Sequence, residues 1–292
     1  MKSLNEVNEN LNTIRQTRRV TNAMYLLSAS HARRGMAHIS YNDTYMRRIS
    51  ASVKDILSKS PEVKCPFFER KKGDGASYFL VLGGNKGLCG AYNSDVVNAA
   101  VKKIKSCENA VVHVSGLIVA DMLRNKGITV DKEWQGITQF PSIHACQLIK
   151  SEVSEMFLSG KIKEAFVIFT DYRTPVSQVV VTRRLLPLST SNFDDIELEC
   201  DYKADKIIYE PSVETVFEKI VGEYIVGYLY GCLYNALVSE NYIRMTAMRN
   251  ATDNADEMIK KLDKEYNEVR QLTITNELTE IASVADLMNS AI

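Results

Sequence analysis

The chain has 292 residues, and 45% of them are hydrophobic, ample for a folded core in one or two domains. Lys and Arg (36) balance Asp and Glu (36), so the whole chain does not read as a nucleic-acid binder. The cysteines (65, 89, 107, 146, 200, 232) form no C-x-x-C and the four His no ligand cluster, so reduced thiols in a cytosolic setting and no metal site are expected.

In chain order, Met1 precedes a polar stretch with no apolar core, so no signal peptide is expected. Ser3 to Lys59 reads as a first long helix. Ser3 and Glu6 fit a capping box, Leu4, Val7, Leu11 and Ile14 then Met24 and Leu27 recur at heptad-like steps, and Pro61 ends it. The run Cys65–Gly75, with Pro66, Lys71, Lys72 and Gly73, reads as a mobile linker. The period then changes. Tyr78–Leu82, Ala110–Val114, Glu164–Thr170 and Ser177–Thr182 are short apolar or β-branched runs, separated by helical stretches at about 93–106, 117–126 and 143–159. That alternation predicts an α/β insert with a largely parallel sheet.

The last stretch has no proline from Ser212 to Met288. Met258, Leu262, Tyr266 and Val269, then Ile274, Leu278, Ile281, Ala285 and Met288, form the stripe of an amphipathic helix. Such a helix would be about 115 Å long, too long to bury its stripe in its own globular core, so it needs a companion helix and a partner protein. Charge suggests the companion. Residues 1–60 hold ten Lys and Arg against four Asp and Glu, and residues 201–292 hold nine against sixteen. Arms of opposite sign attract side by side. The expected fold class is α/β, a long antiparallel coiled coil of N- and C-terminal helices (1–60 and 207–292) with an inserted Rossmann-like α/β domain (77–200) after a linker (61–76).

Few residues suggest chemistry. Gly83, Gly84, Gly87 and Gly90 lie between a strand and a helix, but Asn85 stands where G-x-G-x-x-G needs a glycine, and the G-K-[ST] of a phosphate loop is absent. Plain backbone geometry is the reading. Cys89 has no local His or acid to activate it. Arg18–Arg19, Arg33–Arg34 and Arg47–Arg48 lack interleaved aromatics, so they read as solvated or partner-facing. Ile220–Val238 is apolar and contains Gly227-x-x-x-Gly231, yet Glu223 and Asn235 penalise membrane burial, and a helix packed inside the protein is expected.

Several motifs together carry a resemblance. R-M-x-A-M-x-x-A-T-D-N-A (Arg244–Ala255), Y-N-x-x-R-Q-x-x-I-T-x-E (Tyr266–Glu277), GLCGAYN (Gly87–Asn93), RRLLPL (Arg183–Leu188), YEP (Tyr209–Pro211) and Ala23–Met24 resemble the gamma subunit of rotary F-type ATP synthases, end to end. The resemblance implies a non-catalytic central rotor shaft that couples transmembrane proton flow to ATP synthesis, with no cofactor of its own. It implies as partners the alpha and beta subunits of a catalytic hexamer, the epsilon subunit and a membrane rotor ring, and no nucleic acid. It places the protein peripherally on the cytoplasmic face of a bacterial inner membrane. It implies partner contacts for Arg270, Gln271 and Thr275 on a ring loop, for Met24 and Arg244 on facing helices near the ring's lever segment, and for Glu210 near the rotor ring. The alternatives are a soluble α/β enzyme with coiled-coil oligomerisation arms, and a static scaffold.

Overall fold

The computed structural model describes residues 3–70, 73, 75–196 and 208–290, the last seven for the backbone alone. It divides into two compact units, residues 1–28 with 245–292, and residues 29–244. Two long helices, α1 (Leu4–Lys59) and α5 (Val213–Ser290), contribute residues to both.

In the first unit the capping box closes α1: Ser3 N donates to Glu6 Oε2 at 3.0 Å and Glu6 N to Ser3 Oγ at 3.2 Å. Arg15 meets Asp263 at 3.3 Å, Arg18 meets Asp256, and the Thr252 hydroxyl donates to that of Thr21 at 2.8 Å. As numbers rise along α1 they fall along α5, so the segments are antiparallel, and the basic and acidic arms face each other through named pairs. Both ion pairs are solvent-exposed and salt-screened, so they set register more than stability. Val7 and Leu11 are buried in this seam, whereas Leu27, expected in the stripe, is exposed, as is Met258.

The end of α5 runs on past its companion, leaving part of the stripe for the partner protein that the helix length called for. Ile274, Leu278 and Ile281 are exposed rather than seated in a pair. The reason is register: with Arg15 opposite Asp263, α1 has run out by Leu4 before α5 reaches Leu278. The side chains of Ala285 and Met288 lie outside the described residues.

The second unit is built on a sheet of order β3-β2-β1-β4-β5: β1 (Ala76–Leu82), β2 (Ala110–Ser115), β3 (Lys132–Glu133), β4 (Ile162–Thr174) and β5 (Ser177–Leu186). All pairings are parallel except β4 with β5. Tyr78, Leu80 and Leu82 of β1 enter one core and Phe79 and Val81 the other, the period of two a strand imposes. Because both faces are covered, the strand reads in sequence as an unbroken apolar run. Helices α2 (Tyr92–Ile104) and α3 (Leu117–Asn125) cover one face. On the other face α4 (Ile143–Leu158) packs with α5 and with Val53 and Ile56 of α1. Caps fix the helix starts: Ser142 Oγ accepts from Ala145 N and Ser212 Oγ from Thr215 N, each at 3.2 Å.

The predicted linker is partly structured. Pro66–Phe68 form a 3-10 turn, Cys65 and Phe67 are buried, and Leu188 N donates to Phe67 O at 2.8 Å. Phe67 enters the core and Phe68 packs its ring against those of Phe193 and Phe217, so this stretch is anchored by tertiary packing that its Pro, Gly and Lys content conceals. Residues 71, 72 and 74 lie outside the described residues.

Within this unit the apolar run Ile220–Val238 is a buried helix face, as expected. A Cβ at Gly227 would lie 2.7 Å from Met46 Sδ, and one at Gly231 would lie 2.8 Å from Asn42 Nδ2. The small residues let α1 and α5 approach closely, and His38 of α1 stacks on Tyr234 with centroids 4.5 Å apart. Among the described residues no helix is long and apolar enough to cross a membrane.

Candidate functional site

In an open α/β sheet, ligands bind beyond the carboxyl ends of the strands where the chain order reverses. Here that point lies between β1 and β4, and it is filled by the chain itself. Gly84 N donates to Asn93 Oδ1 at 2.9 Å, and a Cβ on Gly84 would lie 3.3 Å from the Glu240 carboxylate of α5. Ser239 Oγ donates to Thr170 O of β4 at 3.0 Å. Tyr92 OH donates to Ala236 O at 3.3 Å. The crevice that would hold a nucleotide in a dehydrogenase or kinase holds a turn of α5 instead.

One buried ion pair closes it. Arg244 Nη2 meets Glu240 Oε1 at 2.6 Å, with side chains only 10% and 11% exposed, and the guanidinium also reaches Gly87 O at 3.4 Å. The i, i+4 spacing of Glu before Arg puts both groups on one face of α5. Cys89 is buried beside them, with Asn93 Nδ2 at 3.4 Å from its sulfur. Burial pushes its thiol pKa up, with Arg244 opposing, so Cys89 is not poised as a thiolate nucleophile. Cys146 is likewise raised, to about 12, by burial. The cysteines other than Cys200 are free, and Cys200 lies outside the described residues. Among the described residues no cluster of His, Cys, Asp and Glu could hold a metal.

His113 is a buried titratable group of the sheet. Its Nδ1 faces Tyr78 OH at 3.0 Å and Trp134 Nε1 at 3.4 Å. An indole N–H only donates, so Nδ1 must accept and the ring is neutral. Burial lowers its pKa, with Glu152 opposing. The unfolded chain therefore binds the proton more readily. The stabilisation is full above the unfolded value of about 6.5 and is lost as pH falls below it. We expect unfolding midpoints to drop as pH falls below about 6.5, and His113→Gln to flatten that dependence. A midpoint whose decline is identical in the variant would show that other groups control it.

The residues expected at partner contacts are divided between the two units. Arg270, Gln271 and Thr275 are exposed on α5, while Tyr266, Val269 and Thr273 are half-buried, so the arginine projects beside the seam. Thr275 Oγ1 donates back to Gln271 O at 2.8 Å. Met24 is half-buried in the first unit. Glu210 is exposed, just before α5 and joined to Pro211 by a cis peptide. Arg244 is buried in the second unit and turned to Glu240 and Gly87. Sequence reading missed the partners of Arg244, since Gly87 lies 157 residues away.

The sequence model of the ATP synthase family matches residues 3–287. The ATP synthase gamma chain of Caldanaerobacter subterraneus subsp. tengcongensis is 36% identical over 288 residues, covering 95% of this chain and 97% of its own. The chain belongs to the ATP synthase gamma chain family. The gamma chain of Ruminiclostridium cellulolyticum is 33% identical, covering 98% and 99%. Among solved structures, the Tetrahymena thermophila mitochondrial ATP synthase central stalk with its c-ring has a chain of TM-score 0.61 and 20% identity, covering 80% of this chain and 99% of that one. A chain of the Euglena gracilis mitochondrial ATP synthase gives 0.64 at 17%, covering 99% and 95%. These two share the fold. Family membership agrees with the filled crevice: a gamma chain is a non-catalytic subunit.

Proposed function

We propose that this gamma chain is the central shaft of a rotary ATP synthase, turning inside a hexamer of alpha and beta subunits and coupling proton flow to ATP synthesis. The observation that carries this is full-length kinship with bacterial gamma chains at 30–36% identity. In this reading the antiparallel arms form the axle, and the exposed apolar stripe Ile274, Leu278 and Ile281 turns within the hexamer's bore as a bearing without directional bonds. The α/β domain and Glu210 sit with an epsilon subunit on the membrane rotor ring. The protein is then peripheral, on the cytoplasmic face of the bacterial inner membrane.

Grip requires polar contacts, and Arg270, Gln271 and Thr275 are proposed to hydrogen-bond a loop of the hexamer. On an exposed helix an arginine contributes about 0–1 kcal/mol, whereas in a closed interface a charged hydrogen bond is worth roughly 1.5–3 kcal/mol. Arg270→Ala with Gln271→Ala should therefore leave the circular dichroism of the isolated chain unchanged while lowering its yield in complex and the ATP-driven rotation seen on single molecules. Normal assembly with natural rotation would make these residues passengers. A reconstituted hexamer that hydrolyses ATP without any turning of a bead on the natural chain would sink the shaft reading itself.

A further inference from the structure

We propose that the open edge of β5 is a docking site for an extended strand with adjacent acidic residues, supplied by another subunit of the assembly. β5 ends the sheet, and among the described residues no strand pairs with its outer side. Such an edge is a row of unpaired N–H and C=O groups, the template for strand addition. Pro175 and Pro187 flank the strand and none lies within it, so its ladder donors are intact. At its carboxyl end a cavity of about 530 Å³ is lined by Thr182, Arg183, Arg184, Asn192, Tyr224 and Tyr228.

Register decides what reaches it. Arg183 lies opposite Val167 and Arg184 opposite Phe166. Val167 belongs to the core under α4 and α5, and Phe166 packs against the core under α2 and α3. The two exposed guanidinium groups therefore stand on opposite faces of one edge. Neither has an ion pair among the described residues, and Asp171 of β4 turns to Arg173 at 4.0 Å. Edge-to-edge pairing of two copies would set arginines against arginines, and like charges across a ladder destabilise. A strand with two adjacent carboxylates sends one to each face and meets both.

The inference rests on the proposed function only in that another subunit supplies the strand, and the test needs no assembly. The full chain is titrated into a labelled eight-residue peptide carrying two adjacent glutamates between Val-Thr-Val flanks, with binding read by anisotropy. Saturable binding is expected, weakened at least about tenfold by Arg183→Glu with Arg184→Glu. Circular dichroism confirms that the variant folds. N-methylation of alternate peptide amides should weaken it as much, because ladder bonds are lost. Absence of saturable binding overturns the proposal. So does equal binding of the methylated peptide, which would mean charge attraction alone. Tighter peptide binding by a chain with Glu197→Gln, Glu199→Gln and Asp201→Asn also overturns it, since the occupant would then be the chain's own segment.

Discussion

Replacing Arg244 with methionine is expected to destabilise the second unit by about 4 kcal/mol, the cost of leaving one member of a buried ion pair without its partner. Glu240 is 9% exposed, and Arg244 Nη2 is its partner at 2.6 Å. Without the guanidinium, the carboxylate must stay charged in a poor solvent or take up a proton. The double change Arg244→Met with Glu240→Gln should recover much of the loss, because both charges leave together. Two compact units need not unfold in one step, so the measurement should follow the second unit alone. Trp134, the one tryptophan of the chain, lies in it and reports urea unfolding by fluorescence. A loss below about 1 kcal/mol would mean that water reaches the pair and that it behaves as a surface bridge. The expected loss instead makes the pair a lock that fastens the glycine loop to α5, so a defect of an Arg244 variant in the assembled enzyme would need this intramolecular role subtracted first.

What the sequence disclosed follows from the range of the forces involved. Ser3 with Glu6, the run Tyr78–Leu82 and the helix near 143–159 were legible because caps and periods are local. β3 was missed because Lys132–Glu133 is two residues long and carries no period. Phe68 looked like linker because composition does not reveal that Phe193 and Phe217 wait for it. The stripe through Leu278 and Ile281 was read correctly as a helix, but its cover depends on where α1 begins once Arg15 meets Asp263, a fact held at both ends of the chain. The exposed positions of Arg270 and Gln271 followed from helical spacing beside Val269. The burial of Arg244 did not, since Glu240 four residues earlier resembles any surface i, i+4 pair until Gly87 closes over it.

The last expected result concerns the turn after β2. Gly116 has φ of +115°, a conformation L side chains rarely adopt, and a Cβ there would lie 2.6 Å from the carbonyl carbon and oxygen of Gly83 and 2.9 Å from Gly84 O. Those atoms are backbone and cannot rotate away. Gly83 N in turn donates to Ser115 O at 2.7 Å, which holds the ends of β1 and β2 together, and Thr138 Oγ1 donates to Gly83 O at 3.1 Å. Gly116→Ala therefore meets two costs: backbone strain of about 1–3 kcal/mol and overpacking of about 1–3 kcal/mol. A loss of about 4 kcal/mol is expected in the Trp134-monitored unfolding of the second unit. The glycine loop that Arg244 grips starts at Gly83, so relief of the clash should displace that loop as well. Hydrogen exchange at Gly84 N, whose acceptor is Asn93 Oδ1, should then quicken in Gly116→Ala. Gly127, with φ of +76° and open space around its absent Cβ, is the control: Gly127→Ala carries the backbone strain without the clash. If both alanines cost the same, backbone conformation alone explains Gly116. A larger loss at Gly116, with faster exchange at Gly84, would show that close approach of two backbones shapes the floor on which α5 is locked.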